Sequence, residues 1–137
     1  MPLSGAVARQ PSLPSNWERL LTLAQAEVKA TVDSLPLDLR DQAAQLPVTY
    51  EPEPNRDLRK DGIEPDTLGL FVGEPFSAGD TMRGPIPAQI ILFLKNIWEM
   101  AEEDEDFYRE EIRTTLLHEL GHFLGLDEDD LEERGLD

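Results

Sequence analysis

The chain has only two histidines, His118 and His122, in the run Leu117-His118-Glu119-Leu120-Gly121-His122-Phe123-Leu124-Gly125. On a helix, residues four apart stand one turn apart on the same face. Two imidazoles so placed can converge on one tetrahedral zinc ion. Glu119 directly follows the first histidine, so its carboxylate falls beside such an ion rather than on it. From there it can take a proton from a metal-bound water. Two histidines placed at random in 137 positions fall four apart in about 1.4% of arrangements, and a Glu directly after the first lowers this to about 0.2%. Chance is therefore a poor account of the pattern, and the spacing points to metal-assisted hydrolysis.

The rest of the composition narrows the alternatives. Acidic residues number 29 and basic ones 12, a net charge of −17, so the chain repels phosphate backbones and nucleic acid is not an expected partner. The absence of cysteine excludes disulfides, thiolate zinc sites, iron–sulfur clusters and cysteine nucleophiles. A Ser–His–Asp site would have to borrow one of the two histidines, and no G-x-S-x-G elbow occurs. No Gly-rich phosphate loop or internal repeat is present. A mean hydropathy of −0.42 and 39% apolar residues are those of a soluble globular chain. No apolar run approaches the ~18–20 residues of a membrane helix. At 15.4 kDa the expectation is one domain. Residues 99–137 hold 16 acidic and 3 basic side chains, an excess that marks a solvated face or raises the local concentration of a cation or basic substrate.

The elements that must position the histidines can be read from periodicity. Residues 1–16 contain three prolines and no amphipathic period, which predicts a disordered arm, and they lack the pattern of a secretory signal, so a cytoplasmic protein is expected. Leu20, Leu21, Ala24, Val28 and Thr31 recur at helical spacing and predict a helix over 17–34, capped by Asn16 and ended by Pro36. A short helix is expected over 37–44 and a strand over 48–51. The proline-rich, charged stretch 52–66 reads as an exposed loop. Residues 68–72 and 88–94 are short runs rich in apolar and β-forming residues and predict strands, with a Gly- and Pro-rich loop between them. Residues 96–101 predict a turn or two of helix. The histidines fall on a longer helix, 107–124, with Asp106 as its cap, Phe107, Ile112, Leu116, Leu120, Phe123 and Leu124 as its apolar stripe, and Gly125 as its stop. A last helix is expected over about 128–134. This order predicts an α+β fold, a small mainly antiparallel sheet packed against helices, in a domain spanning 17–137.

Taken further, the run from His118 to Glu128 resembles HExxHxxGxx(H/D), the extended signature of zincin metallopeptidases. The helix ending SLP, the strand PVTYEPEP, the LGLFVGEPF segment, the IILFLKNIWEMA run and the tail LDEDDLEERGLD follow in the order of the small bacterial zincin-like metallopeptidase family. The resemblance implies a minimal zincin-like catalytic core, one Zn²⁺ per chain and a peptidase activity. It makes His118 and His122 metal ligands and Glu119 the catalytic base. The metzincin position of the third ligand, ten residues after the first histidine, is Glu128 here. With no other histidine and no cysteine, the third protein ligand must be an oxygen, which zinc accepts from Asp or Glu. Glu128 is first by register, with Asp127 and Asp129 as alternatives.

The expected function is zinc-dependent hydrolysis of peptide bonds through a Glu119-activated, zinc-bound water, acting on a peptide or protein substrate. The alternative is a non-catalytic zinc-binding or interaction protein with the same fold. An edge strand, in 68–72 or 88–94, is expected to pair with an extended peptide. Tyr50, Tyr108 and Arg113 are the candidates for helping to stabilise an oxyanion.

Overall fold

The structure, a computed structural model, describes residues 13–73, 88–126 and 128–133, the side chains of Glu128, Leu131 and Glu132 excepted. The expected disordered arm falls largely on residues 1–12 and the long Gly- and Pro-rich loop on 74–87, both outside the described residues.

Helix α1, Trp17–Asp33, buries Leu20, Leu23, Ala24 and Thr31 along one stripe. Asn16 stands at its N-cap, but its side chain makes no capping hydrogen bond. Helix α2, Leu37–Ala44, follows Pro36 and buries Leu39 and Ala43. Strand β1 is Val48–Glu51. Within the stretch expected to be loop lies a single turn and a half of helix, α3, Arg56–Lys60. Its cap explains it: the Asn55 side chain accepts a hydrogen bond from the Leu58 amide at 2.9 Å. Strand β2 is Gly69–Val72 and strand β3 is Gln89–Phe93. Helices α4, Leu94–Met100, and α5, Glu105–Leu124, complete the framework, and α6, Glu128–Glu133, follows α5.

The three strands form one sheet in the order β1-β3-β2. β2 runs antiparallel to β3, with Leu70 opposite Ile91, whereas β1 runs parallel to β3, with Tyr50 opposite Leu92. The sheet is therefore mixed rather than mainly antiparallel. The long connection from β1 to β3 supplies the crossover that a parallel pair requires. β3 is central, and the alternation of its buried residues puts Ile90 and Leu92 in the core. The strand over 88–94 is thus not an edge, and the candidate edge for pairing is β2.

α5 packs against both β2 and β3 and against α1 and α4. Its cap is Asp104, two residues before the expected one, whose side chain accepts from the amides of Asp106 and Phe107. Glu105 and Asp106 then lie in the first turn, where the helix dipole favours negative charge. Tyr108, Ile112, Leu116 and Leu120 are buried at i, i+4 spacing. Phe107 does not belong to that stripe and is 59% exposed. The Tyr108 hydroxyl donates to the Leu20 carbonyl at 2.8 Å and so ties α5 to α1. The corner between α4 and α5 turns through Glu102 and Glu103, both left-handed at φ 57° and 61°, a conformation uncommon outside glycine. No described helix is long and apolar enough to cross a membrane.

Candidate metal centre

The last two turns of α5 carry His118, Glu119 and His122. At about 100° per residue, the two histidines share the solvent face, and Glu119 lies between that face and the buried stripe. The burial follows this geometry: both imidazoles are exposed, while Glu119 is 8% exposed. The carboxylate is covered because β2 comes close. A β-carbon at Gly69 would lie 2.5 Å from the Thr115 Cγ2 methyl and 3.4 Å from Glu119 Cγ. Thr115 and Glu119 are one turn apart on α5, so the start of β2 lies directly against the turn that carries Glu119.

The imidazoles face each other edge to face, with ring centroids 4.9 Å apart. Their Nε2 atoms are 3.4 Å apart. Two nitrogens each about 2.0–2.1 Å from one tetrahedral zinc stand about 3.3–3.4 Å apart. The pair therefore has the separation that a shared ion requires, and the donor set of two imidazoles with a nearby carboxylate suits zinc. One ligand atom from each of His118, Glu119 and His122 lies within 4.8 Å of the others. An open cleft of about 330 Å³ borders this group, lined by Leu70, Phe71, Gly73, Glu119 and His122. Phe71 of β2 packs on Phe123 of α5 with centroids 5.7 Å apart, which fixes the wall of the cleft to its floor.

These features agree with a comparison against protein-family models, in which the zincin-like metallopeptidase family matches residues 43–136, more than half of the chain. The chain belongs to the zincin-like metallopeptidase family. No curated protein matches it. The match begins within α2, so α1 precedes the part of the chain that the family model covers.

The chain leaves α5 through a tight C-terminal cap. Gly125 adopts φ 73°, the Leu126 amide donates to the Gly121 carbonyl at 2.8 Å and the Gly125 amide donates to His122 at 3.3 Å. This double closure is the Schellman arrangement, and glycine meets its left-handed residue without steric cost. Gly121, which carries one of these acceptors, is itself buried. The chain then turns into α6, which packs on α5. Among the candidate third ligands, Asp127 lies outside the described residues, Glu128 opens α6 with its side chain not described, and Asp129 is exposed on α6.

The three candidates for oxyanion help do not gather here. Tyr108 is fully buried, with its hydroxyl committed to Leu20, and burial raises its pKa far above the ordinary tyrosine value. It is also ten residues, about 15 Å, back along the helix from His118. Tyr50 is on β1, across the sheet from β2, and is close enough to Tyr108 to perturb it; its own pKa is raised by burial. Arg113 precedes His118 by five residues, about 140° away round the helix. What the sequence did not reveal is Gly69. A glycine in an LGLF strand looks like weakened β-propensity, and its close approach to α5 is visible only once the helix and strand are packed together.

Proposed function

We propose that this chain is a zinc-dependent peptidase that hydrolyses peptide bonds in a polypeptide laid across the β2–α5 cleft. The observation that carries the reading is the 3.4 Å separation of the His118 and His122 Nε2 atoms, which suits one shared ion. In this reading His118 and His122 hold one Zn²⁺, and Glu128 completes the protein ligands, with Asp127 and Asp129 as alternatives. Zinc, when bound, supplies a Lewis acid that lowers the pKa of water and polarises a carbonyl. Glu119 takes the proton from the attacking water and hands it to the leaving amine. Its burial at 8% exposure, beside exposed imidazoles, supports that role, because a base shielded from bulk solvent exchanges its proton within the site. Among the described residues β2 is an edge strand of the sheet, next to the cleft, which supports pairing with an extended substrate.

The test is cleavage of an unstructured polypeptide by the zinc-loaded chain. The reading expects turnover by wild type, and Glu119→Gln, which keeps the size of the side chain but removes its basicity, is expected to retain zinc and lose turnover. Equal turnover in the two proteins would remove Glu119 from the mechanism. The openness of the cleft, with both imidazoles exposed, favours a second reading, a non-catalytic zinc-binding or interaction protein. Zinc binding with no cleavage of any unstructured substrate would select it.

A further inference from the structure

Two large apolar side chains are exposed at the α4–α5 corner: Met100 at 56% and Phe107 at 59%. They line a cavity of about 210 Å³ together with Glu102 and Glu111. Met100 also lines a second cavity of about 510 Å³, beside Leu68, Asn96, Asp66 and Glu99. The two meet at Met100, and the groove they make up is lined by apolar side chains and four carboxylates, Asp66, Glu99, Glu102 and Glu111. None of those four is in an ion pair among the described residues. Lys95, the cation near Glu99, is already held by Glu53 at 2.9 Å. The Asn96 amide nitrogen is spent on the carbonyls of Pro65 and Thr67, which leaves its oxygen as a further acceptor. The groove thus presents apolar surface and acceptors, and its chemical complement is a segment that carries apolar side chains and cationic donors.

Its position ties it to the cleft. Phe107, Glu111, Thr114 and His118 follow one another at i+4, i+3 and i+4, so all four share one face of α5, and Thr114 between them is exposed. Phe107 and His118 are eleven residues apart, about 16 Å along the helix. An extended peptide covers that distance with about five residues. At its other end the groove reaches Leu68, the residue before β2, whose Leu70 and Phe71 line the cleft.

We propose that the Met100–Phe107 groove is a docking surface for a polypeptide substrate, taking a segment rich in apolar and basic side chains about five residues from the bond held at the histidines. The inference rests on the peptidase reading for the word substrate, and its binding test is independent of that reading.

The probes are fluorescein-labelled peptides of alternating leucine and lysine, and of alternating leucine and glutamate, with binding read by fluorescence anisotropy on the full chain. The leucine–lysine peptide binds and the leucine–glutamate peptide does not. Phe107→Lys combined with Glu111→Lys weakens the binding about tenfold or more, while circular dichroism and the zinc content stay those of wild type. Added salt weakens the binding, because exposed charges are screened beyond about 8–10 Å. The chain carrying both His118→Ala and His122→Ala binds the peptide as wild type does. Retained binding in that chain, together with absent cleavage by wild type, would remove the peptidase reading and leave the groove. Equal binding of the two peptides, affinity unchanged by the groove substitutions, or loss of binding on removal of the histidines alone would each overturn the proposal.

Discussion

Gly69 and Thr115 approach so closely that a β-carbon on the former would stand 2.5 Å from the Cγ2 methyl of the latter, closer than real contacts of this kind allow. Thr115 is 7% exposed and β-branched, with little rotamer freedom to move aside. The missing side chain is what lets the edge strand rest on the turn that carries Glu119.

Gly69→Ala is therefore expected to destabilise the fold by about 1–3 kcal/mol, the usual cost of overpacking. The loss should outweigh the ~0.4–1 kcal/mol that reduced freedom of the unfolded chain returns. Thr115→Ser removes the methyl that collides, so Gly69→Ala should cost less in that background. Urea unfolding of the two single mutants and the double mutant measures the coupling. Additive losses would mean that the two residues do not meet as described.

Tyr108→Phe removes the hydroxyl that donates to the Leu20 carbonyl. The expected cost is about 0.5–1.5 kcal/mol of stability. Zinc affinity should not change, because Tyr108 lies about 15 Å from His118 along α5. Urea unfolding and zinc titration on the same sample check both halves. A large loss of zinc affinity would give Tyr108 a role at the site that its position denies.

How much of this was legible in the sequence depended on how local each signal was. The helix of the histidines was legible because Ile112, Leu116, Leu120 and Phe123 repeat over several turns and Gly125 stops them. Its start lies two residues before the cap expected from sequence, because Asp104 and Asp106 are equally good caps by type and only the fold decides which amides remain open. Phe107 reads as core by its chemistry, yet it follows the corner at Glu102 and Glu103 and stands in solvent. α3 leaves no trace in the pattern because a turn and a half, set by the single Asn55 cap, has no periodicity. The parallel pairing of β1 with β3 joins residues some forty positions apart, and nothing within either strand encodes it. The histidine pair was legible in full because its geometry is that of one helical turn. Gly69 was not, because its role lies in what packs against it.

The ion pair between Arg19 of α1 and Glu105 of α5, 2.7 Å at its shortest, predicts a pH dependence. Hydrogen bonding to Arg19 holds the Glu105 carboxyl below its ordinary value, opposed by desolvation and helped by the charges of Arg19 and Arg109. A carboxyl lowered in the folded state stabilises it above the unfolded pKa, near 4.5, and the contribution is lost as pH falls through the folded value. Glu105→Gln should therefore lose a small increment of stability at neutral pH and show a flatter decline below about pH 4.5 than wild type. Thermal unfolding across the acid range measures it. Parallel pH profiles would show that the pair contributes nothing.

Glu128→Ala is expected to weaken zinc binding without abolishing it, since water can replace a lost oxygen ligand, whereas Asp130→Ala should leave the affinity unchanged. Competition with a chromophoric chelator at neutral pH separates the two. Equal affinity in wild type and Glu128→Ala would pass the role to Asp127 or Asp129, to be tested by the same substitution.

The measurement that bears most directly on the central claim is calorimetric titration of the metal-free chain with zinc, wild type against the variant carrying both His118→Ala and His122→Ala. The pair of imidazoles with Nε2 atoms 3.4 Å apart predicts one zinc per chain in wild type and no specific binding in the variant, with affinity falling as acid protonates the imidazoles. Full-strength binding of one zinc by the variant would contradict it.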